Sequence, residues 1–233
     1  MQEQVIAVSL LVVESILLIA TIILLLLTKR EWKMREKALK SLQDTIRVLT
    51  RQQYFSTVME ALRSAKKEVK AIVTGTYPRD EDQMVFDELL KCIKEASLKG
   101  VKLQYLMPKG KDKLAVGSKF VNSGAEVRYH DGLIVYDLRY MVVDGELIVL
   151  GLPEKVGEVE PTRVGHLVRS ETLANLLISH FDRYWETSIE YREYLRRAVD
   201  EIRKAEPGAS RQLIAAYLRV NEEDLEQVEE SQK

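Results

Sequence analysis

Three observations predict an α/β fold, a mixed sheet flanked by helices, for the larger part of this 233-residue chain. From Tyr54 onward, segments with helical period alternate with short β-rich runs. The early runs are joined by helical segments and the late ones by tight turns, which describes parallel strands followed by hairpins. The stretch 54–188, roughly 135 residues, is long enough for a core of its own.

In order, Phe55 to Glu68 reads as an amphipathic helix, and Val69 to Thr74 (VKAIVT) as a strand ending in a turn at Gly75 and Pro78. Glu81 to Lys99 returns to helical period, with Val85, Leu89, Cys92 and Ala96 on one face. Gly100 closes it, and Val101 to Met107 (VKLQYLM) is the next strand. Lys111 to Asn122 is a second connecting helix ending at Ser123-Gly124. Strands follow at 125–129, 133–143 and 146–150, the last after the Asp144-Gly145 turn. His166 to Arg169 is a short strand, and Thr172 to Glu186 a long helix.

What precedes and follows this domain differs from it. Val5 to Leu27 reads VIAVSLLVVESILLIATIILLLL, 23 residues with one charge, Glu14. As a helix at ~1.5 Å per residue it is ~35 Å long, enough to cross a hydrocarbon core of ~30 Å. A cleaved signal peptide would have a basic start and a small-residue cleavage site. Here the start is Met-Gln-Glu-Gln and the basic cluster Lys29, Arg30, Lys33, Arg35, Lys37 follows. Residues 1–28 are therefore expected to anchor the chain in the cell membrane, with the N-terminus outside and the rest cytoplasmic. Glu14 lies mid-span on a seven-residue repeat with Ala7 and Thr21, a face suited to self-association.

Residues 29–53 lack Gly and Pro and read as a basic helical stalk. Leu39, Leu42, Ile46 and Leu49 follow the 3-4-3 spacing of a coiled-coil seam, and with Glu14 they are the expected oligomer contacts. The basic excess over 29–51 suits anionic lipid head groups. Residues 189–233 form a charged helix to Ala205, a break at Glu206-Pro207-Gly208, and two short helices. Ser210 caps the first, and Asn221 with Asp224 resembles a capping box for the second. The acidic run Glu222, Glu223, Asp224, Glu226, Glu229, Glu230 would repel a phosphate backbone, so a protein partner or a solvated tail is expected there.

Whole-chain averages conceal these parts. The charge is −1, from 35 basic and 36 acidic residues, and the mean hydropathy is −0.17. Neither argues for nucleic-acid binding. The single cysteine, Cys92, excludes an internal disulfide and a multi-thiolate zinc site, and reads as packing. His130, His166 and His180 are scattered and show no metal-ligand spacing, so no metal or cofactor is expected. Few Asn and many Glu, Lys and Arg would suit a heat-adapted archaeal cytoplasm.

The region 54–188 resembles the phospholipase D superfamily. The resemblance runs through Ala65-Lys66-Lys67-Glu68-Val69, Lys99-Gly100-Val101-Lys102-Leu103, Gly124-Ala125-Glu126-Val127-Arg128, the hairpin Met141-Val142-Val143-Asp144-Gly145 and the helix carrying Phe181-Asp182-Arg183-Tyr184-Trp185. That family's signature is His-x-Lys, four residues, Asp, six residues, then Gly-Ser and a nearby Asn. Its His forms a phospho-histidine, its Lys and Asn hold the phosphoryl oxygens, and a second motif copy supplies the general acid. With Asp144 on the family Asp, the nucleophile position is Asp137, the Lys position Arg139, the Gly-Ser positions Gly151-Leu152 and the Asn position Lys155. A carboxylate in place of the imidazole repels a phosphodiester, and Leu152 cannot donate to it.

The resemblance therefore implies a membrane-anchored pseudoenzyme that binds a ligand or acts as a scaffold, as a homodimer or higher oligomer. Single-motif anchored members and the effector domain of archaeal regulators of the TrmB type are the branches nearest in kind. Arg128, Asp137, Arg139 and Lys155 are the candidate ligand-binding residues, for an anion or a polyol. The alternative is a phosphodiesterase, a phospholipase or nuclease, with Asp137 as a substituted nucleophile.

Overall fold

The computed structural model describes residues 46–133, 138–152 and 164–230, all within one unit spanning Ile46–Lys233. The expected membrane span with Glu14, the stalk residues Leu39 and Leu42, and the candidate ligands Asp137 and Lys155 lie outside the described residues. No helix among the described residues is long and apolar enough to cross a membrane.

Eight strands among the described residues build one mixed sheet: β1 (Ile46–Thr50), β2 (Glu68–Ile72), β3 (Lys102–Pro108), β4 (Glu126–His130), β5 (Arg139–Val143), β6 (Leu147–Leu152), β7 (Val164–Arg169) and β8 (Ile189–Glu190). Their order is β1-β7-β6-β5-β2-β3-β4-β8. The alternation of helices and strands yields the expected division: β2, β3 and β4 are parallel. The β5-β6-β7 meander is antiparallel and joins β2 through β5. Seven α-helices are described: α1 (Arg51–Ser64), α2 (Gln83–Leu98), α3 (Leu114–Asn122), α4 (Glu171–Glu186), α5 (Tyr191–Ala205), α6 (Arg211–Leu218) and α7 (Glu222–Glu230).

The pleat sends alternate residues to opposite faces, so each strand feeds two cores. Val69, Ala71, Leu103, Tyr105, Val127, Tyr129, Met141 and Val143 belong to the core shared with α1, α2, α3 and the C-terminal helices. Ile72, Leu106, Tyr140, Val142 and Ile148 belong to a smaller core under α4, which contributes Ala174, Leu177 and Phe181. An ion pair, Lys70 Nζ to Asp182 Oδ1 at 2.7 Å, ties α4 to β2. Cys92 is buried on α2 as packing, and burial pushes its thiol pKa up.

The structure corrects three local expectations. The helical stalk does not reach Gln53: Ile46 and Leu49, assigned to a coiled-coil seam, lie on β1 and pair with Val168 and Gly165 of β7. Leu49 is 1% exposed, so it is core rather than seam. The β-branched Ile46, Val48 and Thr50 suit a pleated strand, and the helix starts only after it. Thr50 caps α1, its Oγ1 accepting from the Gln53 amide at 3.4 Å while Gln53 Oε1 accepts from the Thr50 amide at 3.0 Å. Ile189 and Glu190 are likewise not helical but pair with Tyr129 and Arg128 as the edge strand β8.

The third correction concerns the C-terminal helices. Ser210 does cap α6, accepting from the Leu213 amide at 3.2 Å. Asp224 does not complete a capping box; its side chain turns inward, 7% exposed, to Ser118 and Tyr191. Leu218, Leu225 and Val228 enter the main core, and Arg211 pairs with Glu226 and Glu229 at 2.5 and 2.6 Å. The acids of α7 are thus partly neutralised by arginines of this chain, and its apolar face is already covered.

Candidate functional site

Parallel strands present their C-terminal ends and the loops that follow as a rim where ligands are commonly held. Here β2 and β3 are such a pair, and β5 runs antiparallel to β2, so its first residue, Arg139, lies at that same end. A cavity of about 370 Å³ opens there, between the sheet, α1, α2 and the loop after β2. Its floor is Ala71 of β2, Tyr105 of β3, and Arg139 and Met141 of β5; Ala71 is in register with both Tyr105 and Met141. Its walls include Val58 of α1 and Val85, Phe86 and Leu89 of α2. Thr74, Thr76, Arg79 and Asp82 bring polar groups to its lining.

The loop Val73–Arg79 is shaped by Gly75, at φ +62. A Cβ there would stand 2.8 Å from the Sδ of Met107, so the tight turn requires glycine on both conformational and steric grounds. Aromatic rings line up behind it. Tyr105 meets Phe120 edge-on at 4.7 Å, Phe120 stacks on Phe86 at 6.2 Å, and Phe86 meets Tyr77 at 6.0 Å. The Tyr105 hydroxyl is buried and has no hydrogen-bond partner among the described residues. Burial pushes its pKa well above the usual phenol range, so it stays protonated and can donate.

Of the motif positions, Arg139 is 7% exposed on β5 and in register with Gly151 of β6. Asp144 lies beyond the far end of β5, a strand length or about 17 Å away. Its carboxylate accepts the backbone amides of Lys66, Lys67 and Glu68 at 2.9, 2.8 and 3.1 Å. That is a structural clamp at the start of β2, remote from the cavity. Arg128 is not brought to Arg139 either. It is in register with Leu106 of β3, on the α4 face, where its guanidinium lies 4.8 Å from the Trp185 ring and donates to the Trp185 carbonyl at 3.0 Å.

Two of the three histidines gather around Tyr184 on that α4 face. The rings of His130 and His180 lie 5.0 and 5.1 Å from it, both edge-on. The Tyr140 hydroxyl donates to the Leu177 carbonyl at 3.0 Å, so the His180 Nδ1 at 2.8 Å is the donor toward it. Burial, with Arg183 nearby, holds the His180 pKa below its ordinary 6.5. A histidine depressed in the fold favours the neutral form there. Its stabilising contribution is whole above about pH 6.5 and is lost as pH falls through the lower folded value. The urea midpoint should therefore decline on acidification from pH 7 to 5, and His180→Gln should flatten that decline; an unchanged profile would contradict the assignment.

Sequence reading missed Tyr77, Phe86, Tyr105 and Phe120 as cavity residues. Only Tyr105 carried a signal, a hydroxyl in the middle of the apolar strand VKLQYLM. No group of three or more metal-ligating side chains occurs among the described residues.

No protein-family profile matches the chain, and no curated protein matches it. Solved structures do. Nuc from Salmonella typhimurium, a phospholipase D family member, aligns with a TM-score of 0.50 at 18% identity, covering 63% of this chain and 97% of that one. TrmBL2, an archaeal chromatin protein with a novel mode of DNA binding, aligns at 0.46 and 20%, covering 69% of this chain and 64% of that one. NucT from Helicobacter pylori aligns at 0.45 and 13%, covering 62% and 98%. The fold is similar to that of Nuc, a phospholipase D family member.

Proposed function

We propose that this chain is a phospholipase D-like pseudoenzyme: a membrane-anchored, cytoplasmic ligand-binding module that associates with itself. The observation that carries the reading is the cavity of about 370 Å³ at the rim where Arg139 begins β5. The resemblance assigns a lysine to that position and a histidine two residues before it, where this chain has Asp137. A phosphodiester site needs a nucleophile and several donors around the phosphoryl oxygens. This cavity offers the guanidinium groups of Arg79 and Arg139 among mostly apolar and aromatic walls, which favour binding a ligand over turning one over.

Anchoring rests on Val5 to Leu27, and attraction to anionic lipid head groups on the basic excess of 29–51. Self-association rests on Glu14 and the Leu39-Leu42 spacing. A protein partner for the C-terminal helices would meet their exposed side, where Leu213 and Tyr217 are 55% and 69% exposed.

The full chain in amphipol, incubated with bis(4-nitrophenyl) phosphate and with phosphatidylcholine vesicles, is expected to release no product above a no-protein control. Hydrolysis that Asp137→Asn abolishes would replace this reading with the phosphodiesterase one. In parallel, Arg139→Leu is expected to remove any thermal stabilisation the chain gains from aryl phosphonates. Stabilisation indifferent to that change would take Arg139 out of the site.

A further inference from the structure

We infer that the cavity takes an amphiphile with a single negative charge, a monocarboxylate on a medium-length apolar tail. Its head would sit at the rim with Arg79 and Arg139, and its tail would run inward under α2. This rests on the reading of the cavity as a ligand site and narrows its chemistry. The lining is sorted along the strands. Arg139 stands one position beyond the Ile72 and Tyr140 pair, at the rim, and Met141 two residues further in. The pleat puts both on one face, and Met141 belongs to the main core. Because α2 joins the parallel strands β2 and β3, it runs back from the rim. Arg79 and Asp82 precede it there, and Val85, Phe86 and Leu89 follow inward. From Asp82 to Leu89 the helix rise is about 10 Å.

Charge selects the head group. Among the described residues the lining carries two guanidinium groups, Arg79 and Arg139, against one carboxylate, Asp82. Lys113, behind Thr76, is paired with Asp112 at 2.8 Å. Arg219, beside the Tyr77 ring, is exposed and screened by solvent. One positive charge is therefore in excess at the rim of a mostly apolar cavity. A neutral ligand would leave it uncompensated, and a dianion would bring a second charge without a partner. A guanidinium has five N–H donors in a plane, so it can hold both carboxylate oxygens even where a protein group shares it. Further in, Val58, Phe86, Leu89, Val116 and Met141 are apolar, so the part of the ligand beyond the carboxylate must be apolar too. A polyol would find too few polar partners there.

Octanoate, octan-1-ol and octyl phosphate share one tail and carry one, no and two negative charges at pH 8. Their binding to the full chain in phosphatidylcholine nanodiscs would be read by saturation-transfer NMR against empty nanodiscs. Octanoate is expected to bind roughly tenfold more tightly than either of the others. Arg79→Gln, at an exposed position, should weaken octanoate while leaving octan-1-ol unchanged. Asp82→Asn leaves two positive charges in excess and should turn the preference to octyl phosphate. Octan-1-ol binding as tightly as octanoate, or octanoate indifferent to Arg79→Gln, would overturn the head-group assignment. A parent chain that prefers octyl phosphate, or an Asp82→Asn chain that does not turn to it, would overturn the match to a single charge. Binding of none of the three would overturn the amphiphile class; the pseudoenzyme reading would then be judged separately by the phosphodiester assay.

Discussion

Asp224→Ala is expected to destabilise the domain by about 3–5 kcal/mol and to release the C-terminal helices first. The carboxylate is 7% exposed and accepts from Ser118 Oγ at 2.5 Å, Tyr191 Oη at 2.9 Å and Asn122 Nδ2 at 3.4 Å. These donors sit on α3 and α5, so one side chain of α7 joins three helices. Its removal leaves two hydroxyls buried without acceptors, and each such group costs about 1–3 kcal/mol. Burial and the neighbouring carboxylate push the Tyr191 pKa up, so its hydroxyl stays a donor through the neutral range.

Urea unfolding would read the loss, and amide exchange over 211–230 would show where it falls. In a double-mutant cycle, Tyr191→Phe should cost less in the Asp224→Ala background than in the parent chain, because the orphaned hydroxyl is gone. Strict additivity, or a loss under about 1 kcal/mol, would show that Asp224 is satisfied by solvent and that α7 is held by Leu225 and Val228 alone.

The same residue shows where sequence reading stops. Asp224 three positions after Asn221 is a legitimate helix-start pattern, and α7 does begin there. What the pattern cannot contain is Ser118, over a hundred positions earlier, which competes for the carboxylate. Ile46 and Leu49 fail in a related way: their spacing fits a helix seam, yet β7 supplies a pairing edge that only the folded chain provides. Local period was sufficient for α2, α3 and α4, whose apolar faces are long and whose ends carry their own signals.

The candidate site was legible only in part, and the pleat explains why. Arg128 and Arg139 are both basic strand residues near the same motif, so grouping them was reasonable from the sequence. Register across four strands puts Arg128 in line with Leu106, Ile72 and Tyr140. Arg139 adjoins Tyr140 and so falls on the opposite face. A shift of one residue in any strand pair would reverse that outcome, and register is set by non-local packing. Tyr105 became conspicuous only once its hydroxyl was seen to lack a partner.

Asp144 combines a legible role with a hidden one, and a substitution series separates them. The Asp-Gly pair marks a hairpin turn in sequence, and in the structure Asp144 and Gly145 adopt φ of +52 and +75 between β5 and β6. Asp tolerates that left-handed conformation better than most residues, at roughly 1 kcal/mol less strain than alanine. The hidden role is the clamp on the amides of Lys66, Lys67 and Glu68, which start β2 some 77 positions away. Asp144→Ala loses both and should cost about 2–4 kcal/mol, the exposure of the Lys66 and Lys67 amides limiting the loss. Asp144→Gly relieves the backbone and should recover about 1 kcal/mol of it. Asp144→Asn keeps the turn and one acceptor oxygen, so it should be the mildest of the three. Because the clamp lies a strand length from the cavity, ligand affinity measured on the folded fraction should not change in any of them. An order in which Gly equals the parent would mean the turn alone matters; a loss of affinity in Asp144→Asn would mean that the far end of β5 moves with Arg139.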